Sequence, residues 1–148
     1  MSKYRVLQLT NQTVGAVAVN GYMPFGKITR RVQESCGNCT TFNVTTSQAD
    51  IVYLNEIGNY NVDYSASLIA GAIGEVSVSL IVNGVQVYEV GATATAIDDV
   101  VNVTLPYQVR VCPNCAGAPN NCPMAIQIQL TGVAVTGGQS NLRIERVH

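Results

Sequence analysis

Charged side chains are scarce in this sequence. Asp, Glu, Lys and Arg make up 11% of the 148 residues, against about 25% in ordinary soluble domains. Trp is absent, and the single His is residue 148. That position denies an interior base to a Ser-His-Asp triad or a Cys-His pair. The net charge of −1 creates no field to gather nucleic acid or an anionic membrane, so neither is expected as a partner. No apolar run reaches the roughly 18 residues that span a bilayer. In the opening stretch "MSKYRVLQLTNQTVGAVAVNG", Gln8, Asn11 and Gln12 interrupt the apolar residues, which argues against a signal peptide. Glu56, Asp63, Glu75 and Glu89 are isolated and read as solvated strand or turn positions. With acid–base groups scattered, no enzyme is expected. Asp98-Asp99 could hold calcium with loop carbonyls, although such a pair more often solvates a turn.

The charges are also unevenly placed. Between Asp63 and Glu89 the only charged residue is Glu75, and between Arg110 and Arg143 there is none. Two such stretches point to surface buried against copies of the chain or another protein. The alternative is a surface wetted by Ser, Thr, Asn and Gln. Arg30, Arg31, Arg143 and Arg146 are expected to form a basic edge near the base of the subunit, suited to docking on an acidic shell or simply solvated.

What is abundant is alternation. "NYNVDYSA" sets Tyr60, Val62, Tyr64 and Ala66 on one face and Asn59, Asn61, Asp63 and Ser65 on the other, the period-2 signature of a half-buried strand. "VSVSLIVNGVQVYEV" reads as a hairpin with a type I′ turn at Asn83-Gly84, so that Val82 faces Val85 and Leu80 faces Val87. "VVNVTL", "AIQIQL" and "NLRIER" alternate in the same way, and weaker strands are expected at 4–8, 14–19, 26–32, 41–45 and 50–54. Turn residues recur at about eight to twelve positions, and no stretch has a 3.6-residue stripe. The fold class is therefore all-β, an antiparallel jelly-roll sandwich of about eight to ten strands. Residues 1–22 are expected to form an N-terminal arm or attachment segment outside the core, with the jelly-roll domain over 23–148. Tyr60 and Tyr64 should line the core or a symmetry axis.

The order of elements from about residue 24 onward resembles the compact trimeric jelly roll of tumour-necrosis-factor and complement globular heads, found also in bacteriophage structural proteins. The matching residues are Gly58, Tyr60 and Val62 at a strand start, Val78, Leu80, Asn83 and Gly84 in a hairpin, and Leu142, Ile144 and Arg146 in a final strand. Gly26, Arg30, Arg31, Arg110 and Cys112 are similar to the version in small phage proteins. The resemblance implies a homotrimer acting without catalysis as a virion structural protein. Its partners would be itself and the major capsid protein or another virion protein. It would be made in the bacterial host cytoplasm and lie on the capsid surface, as a decoration or head-fibre protein. A tail or baseplate tip recognising host glycans is a second implication; Tyr88 and Tyr107 are scattered candidates for it. A bacterial surface or spore-coat trimer is a third. The complement-type stalk is missing, since no Gly-X-Y tract occurs.

The five cysteines fall in two groups. Cys36-x-x-Cys39 and Cys112-x-x-Cys115 each have the spacing of a zinc knuckle, with residues 40–111 between them and Cys122 left over. Structural zinc on Cys36, Cys39, Cys112 and Cys115, disulfides among them, and free thiols all remain open. No helix follows either pair, which disfavours a redox centre. As zinc ligands or as disulfides, the thiols would staple loops.

Overall fold

Alternating strands bury one face each and need a second sheet to cover it. The computed structural model describes residues 5–32, 42–44, 50–111 and 124–147. Among them are ten strands: β1 (Arg5–Asn11), β2 (Lys27–Val32), β3 (Phe42–Val44), β4 (Val52–Leu54), β5 (Gly58–Ala70), β6 (Gly74–Val82), β7 (Val85–Ala94), β8 (Val100–Val111), β9 (Met124–Leu130) and β10 (Val135–Arg146). They form two five-stranded antiparallel sheets in the orders β2-β1-β10-β5-β8 and β3-β4-β9-β6-β7. This is the jelly-roll sandwich that the alternation implies.

The core lies between the sheets. Tyr60, Val62, Tyr64, Ala66, Leu68 and Ala70 of β5 all point inward. They meet Val76, Val78 and Leu80 of β6 and Ile126, Ile128 and Leu130 of β9. Phe25 and Phe42 pack edge-on against Tyr64 and Tyr60, with ring centroids 6.4 and 6.1 Å apart. Each fully buried large side chain adds about 1.5–3 kcal/mol.

Residues 5–11 do not form an arm outside the sandwich. They are β1, paired on one side with β10 and on the other with β2, with Leu7 and Leu9 fully buried. The apolar pattern of "RVLQL" wins, because a half-buried strand is worth more inside the sheet than free. Nor is 14–19 a strand. The stretch 12–23 is a strap that follows β10 and then crosses to β9. Val14 N–H donates to the Gly138 carbonyl at 2.9 Å, and Val17 exchanges bonds with Val135 at 3.0 and 3.1 Å. Asn20, at φ 70°, turns the chain toward the second sheet. There Leu130 N–H reaches the Gly21 carbonyl at 2.9 Å and Met23 N–H reaches Ile128 at 2.7 Å. The strap thus completes β9 where the short β4 stops, and it lowers Met23 and Phe25 into the core.

The hairpin turn holds Asn83 at φ 51° and Gly84 at φ 83°, the type I′ geometry expected. Val82 faces Val85, but Leu80 faces Tyr88 rather than Val87. Val87 is the extra residue of a β-bulge, which the pattern of alternating valines conceals.

Candidate functional site

One side of the sandwich is bordered by β7 and β8, an edge strand of each sheet. Beyond the bulge, Tyr88, Val90, Ala92 and Ala94 take the inward phase of β7, opposite Leu80, Val78, Val76 and Gly74. On β8, Tyr107 is in phase with Val101, Val103, Leu105 and Val109 and sits opposite Val62. Both tyrosines therefore aim at the gap between the sheets. Their rings stack there, 5.6 Å between centroids and 28° between planes, and close the rim. Tyr88 remains 41% exposed, and Val85 and Val87 beside it on β7 are exposed as well. The two tyrosines that look unrelated in sequence are one feature. Tyr107 was legible from its phase; Tyr88 needed the bulge.

Edge strands invite pairing with another chain. On β8, Pro106 opposite Asp63 removes a backbone donor, which restricts the strand to an edge. A partner on this rim would therefore pack through side chains more than through a continued ladder.

The other candidates are dispersed. Glu56 is not solvated: its carboxylate pairs with the buried Arg5 guanidinium and, at 3.6 Å, with Arg146. Arg146 also donates to the Ile57 carbonyl at 2.8 Å. Glu89 is likewise engaged, accepting from Ser79 at 3.0 Å and Thr131 at 2.7 Å. These bonds satisfy the Ser79 hydroxyl of β6 and the Thr131 hydroxyl just after β9. Asp99 ties the turn before β8. One of its oxygens accepts from the Thr95 and Ala96 amides and the Thr95 hydroxyl, at 2.9–3.0 Å. Those bonds hold its carboxyl below the usual aspartate range. It is a turn cap. Among the described residues, no group of three His, Cys, Asp or Glu is arranged to hold a metal.

The four arginines do not make one basic edge. Arg30 lies exposed on β2. Arg31 donates to the Phe42 carbonyl at 2.6 Å, linking the edge strands of the two sheets. Arg143 pairs with Glu145 at 2.7 Å, and Arg146 belongs to the Glu56 cluster. Tyr60 and Tyr64 are core residues with no exposed surface. Burial pushes the Tyr64 hydroxyl well above its ordinary pKa.

All five cysteines lie outside the described residues. Their flanks are described, however. Val32 and Phe42 border the first pair; Val111 and Met124 border the rest. Register places the four at one end of the sandwich: Val32 faces Val6, Phe42 faces Leu54, Leu54 faces Met124, and Val111 faces Gly58.

Solved structures share this arrangement over nearly the whole chain. Murine APRIL matches with a TM-score of 0.66 at 13% identity, covering 98% of this chain and 100% of that one. The Eiger TNF of S. frugiperda gives 0.68 at 10%, covering 99% and 94%. PRD1 vertex protein P5 gives 0.61 at 15%, covering 97% of each chain. The fold is the TNF-like and C1q-like jelly roll. The globular domain of zebrafish complement 1qA fits the same jelly roll, with a TM-score of 0.61, 9% identity and 94% of each chain covered. No protein-family model and no curated protein sequence matches the chain. At these identities the jelly-roll neighbours speak for the fold.

Proposed function

We propose that the chain is a non-enzymatic structural protein of a bacteriophage virion, a homotrimeric jelly-roll head that decorates the capsid shell or serves as a head fibre. The observation that carries the reading is the β7–β8 rim, with stacked tyrosines and exposed valines on a charge-poor head. A vertex protein of PRD1 with the same fold supports it. A rim that meets a different surface of the next copy is a heterologous contact, and three such contacts close a ring. Three-fold symmetry suits three-fold or quasi-three-fold positions on a shell. Since residues 5–11 are built into the sheet as β1, the folded head is the proposed surface for attachment to the major capsid protein.

Native mass spectrometry and sedimentation test the trimer. The wild type should run at three times the 15.7 kDa chain mass, and Tyr88→Ser with Tyr107→Ser should shift it toward monomer while the far-UV spectrum is kept. A wild-type monomer at assembly concentration overturns the trimer. Particles lacking the protein should lose surface density on the head; intact heads with lost adsorption would place it on the tail instead. The four paired cysteines, whose flanks converge at one end, are proposed to clamp their loops together through zinc or through disulfides. Elemental analysis with thiol titration separates these: one zinc per chain with reactive thiols after chelation, or no zinc and no free thiol at those positions.

A further inference from the structure

With Trp absent, tyrosine is the aromatic side chain in this protein most readily oxidised by one electron. The tyrosines are not equivalent. Tyr60 and Tyr64 have no exposed surface and pack against Phe42 and Phe25. Tyr22 is exposed and Tyr53 half-buried, but among the described residues neither has a second tyrosine ring beside it. Tyr88 and Tyr107 alone combine access with contact. They are 41% and 36% exposed, and their rings lie 5.6 Å apart.

The backbone presents the two rings to each other. β7 and β8 belong to different sheets and share no ladder, so at this rim only side chains bridge a gap of about 10 Å. The bulge at Val87 turns Tyr88 into that gap, and the phase of β8 does the same for Tyr107. Both lie on edge strands, and their exposure leaves each ring room to swing from the stack into edge-to-edge contact. Water at the rim can take a proton from either hydroxyl.

We infer that Tyr88 and Tyr107 form an oxidative modification site, where a one-electron oxidant couples the two rings into a dityrosine that staples β7 to β8 within one chain. Each phenol gives one electron to the oxidant and its hydroxyl proton to water, leaving two tyrosyl radicals. The radicals pair through the ring carbons beside the hydroxyls, forming one C–C bond. Each ring then moves the hydrogen from that carbon to its oxygen and regains its phenol. The net change is the loss of two protons and two electrons, which consumes two equivalents of a one-electron oxidant, such as a photo-oxidised metal complex or a peroxide-charged haem. The new bond closes the loop 89–106 and restricts the unfolded chain as any cross-link does. Neither a thiol reductant nor a chelator opens it. Because the bond lies inside one chain, the inference does not rest on the trimer.

The test is brief oxidation of the full chain by a ruthenium tris-bipyridyl complex and persulfate under visible light, followed by thiol reduction. The product should run as a single chain on a denaturing gel, weigh two hydrogens less, and show the blue fluorescence of dityrosine. A protease that cleaves after glutamate then separates residues 76–89 from 90–145. Tyr88 is the only tyrosine of the first peptide, which has no cysteine, and Tyr107 is the only tyrosine of the second. The two peptides should stay joined. Tyr88→Phe and Tyr107→Phe keep the ring stack and should each abolish the join, whereas Tyr22→Phe should leave it intact. The cross-linked chain should unfold at a higher urea concentration than the untreated one. Four results each overturn the inference: no joined pair, a pair joined through Tyr22 or Tyr53 instead, covalent dimers or trimers as the main dityrosine product, or an equal yield from the chain unfolded in urea.

Discussion

Replacing Glu56 with glutamine should be among the costliest single-atom changes in this chain. The Arg5 side chain is 3% exposed and its counter-ion, Glu56, 20%. The same carboxylate reaches Arg146 at 3.6 Å, and the Glu56 carbonyl accepts from the Tyr60 hydroxyl at 2.7 Å. One residue thus ties the turn before β5 to the outer ends of β1 and β10. Glutamine keeps the shape and one acceptor but takes away the negative charge beside a buried guanidinium. Breaking a buried pair costs about 3–5 kcal/mol; the partial exposure of Glu56 moves the expectation to the low end, about 3 kcal/mol. At about 2–4 °C per kcal/mol for a chain of this size, the melting temperature should fall by about 6–12 °C. Urea unfolding should show a lower midpoint at unchanged slope. Arg5→Met removes the buried charge as well, so Arg5→Met with Glu56→Gln should lose less than Glu56→Gln alone, with coupling above about 1 kcal/mol. A Glu56→Gln protein within about 0.5 kcal/mol of wild type, or strict additivity in the cycle, would refute the reasoning.

Asp99 has its carboxyl pKa lowered by bonds from Thr95 and Ala96. The turn's contribution is therefore present above the ordinary value of 3.8 and lost as pH falls through the lower folded value. In an NMR acid titration its midpoint should lie below 3.8, with the Thr95 and Ala96 amides moving in step. Gly26 sits at φ +81°, where a Cβ would fall on the Thr10 carbonyl and within 2.7 Å of the Asn11 Cα. Gly26→Ala should cost more than about 2 kcal/mol by calorimetry, since backbone strain and overpacking add. Tyr64→Phe deletes a buried hydroxyl without a partner and should be neutral or stabilising by up to about 1 kcal/mol in urea unfolding.

Much of the sandwich was legible because its signals are local. The alternation of β5 and the phase of Val101 to Val109 name the inward residues directly, and Asn83-Gly84 names its turn. Three things escaped. The bulge at Val87 was hidden because valine suits either phase. The role of residues 1–22 depends on the pairing of β1 with β10, at the other end of the chain. Glu56 looked isolated because its partners Arg5 and Arg146 are 51 and 90 positions away. The tyrosine pair shows the opposite case: each residue was visible, but only the topology brings β7 and β8 side by side.

The pairing of β1 with β10 also governs timing. A ribosome releases β1 first and β10 last of the ten strands, so β1 has β2 but not β10 until synthesis has passed Arg146. The central seam of that sheet can close only after the remainder has emerged, a non-local step of the kind that folds slowly. A nascent chain stopped short of Val135 would expose the apolar edge of β1 and the face of β5 together, a surface prone to aggregation. Prematurely terminated copies should therefore aggregate rather than close the sandwich.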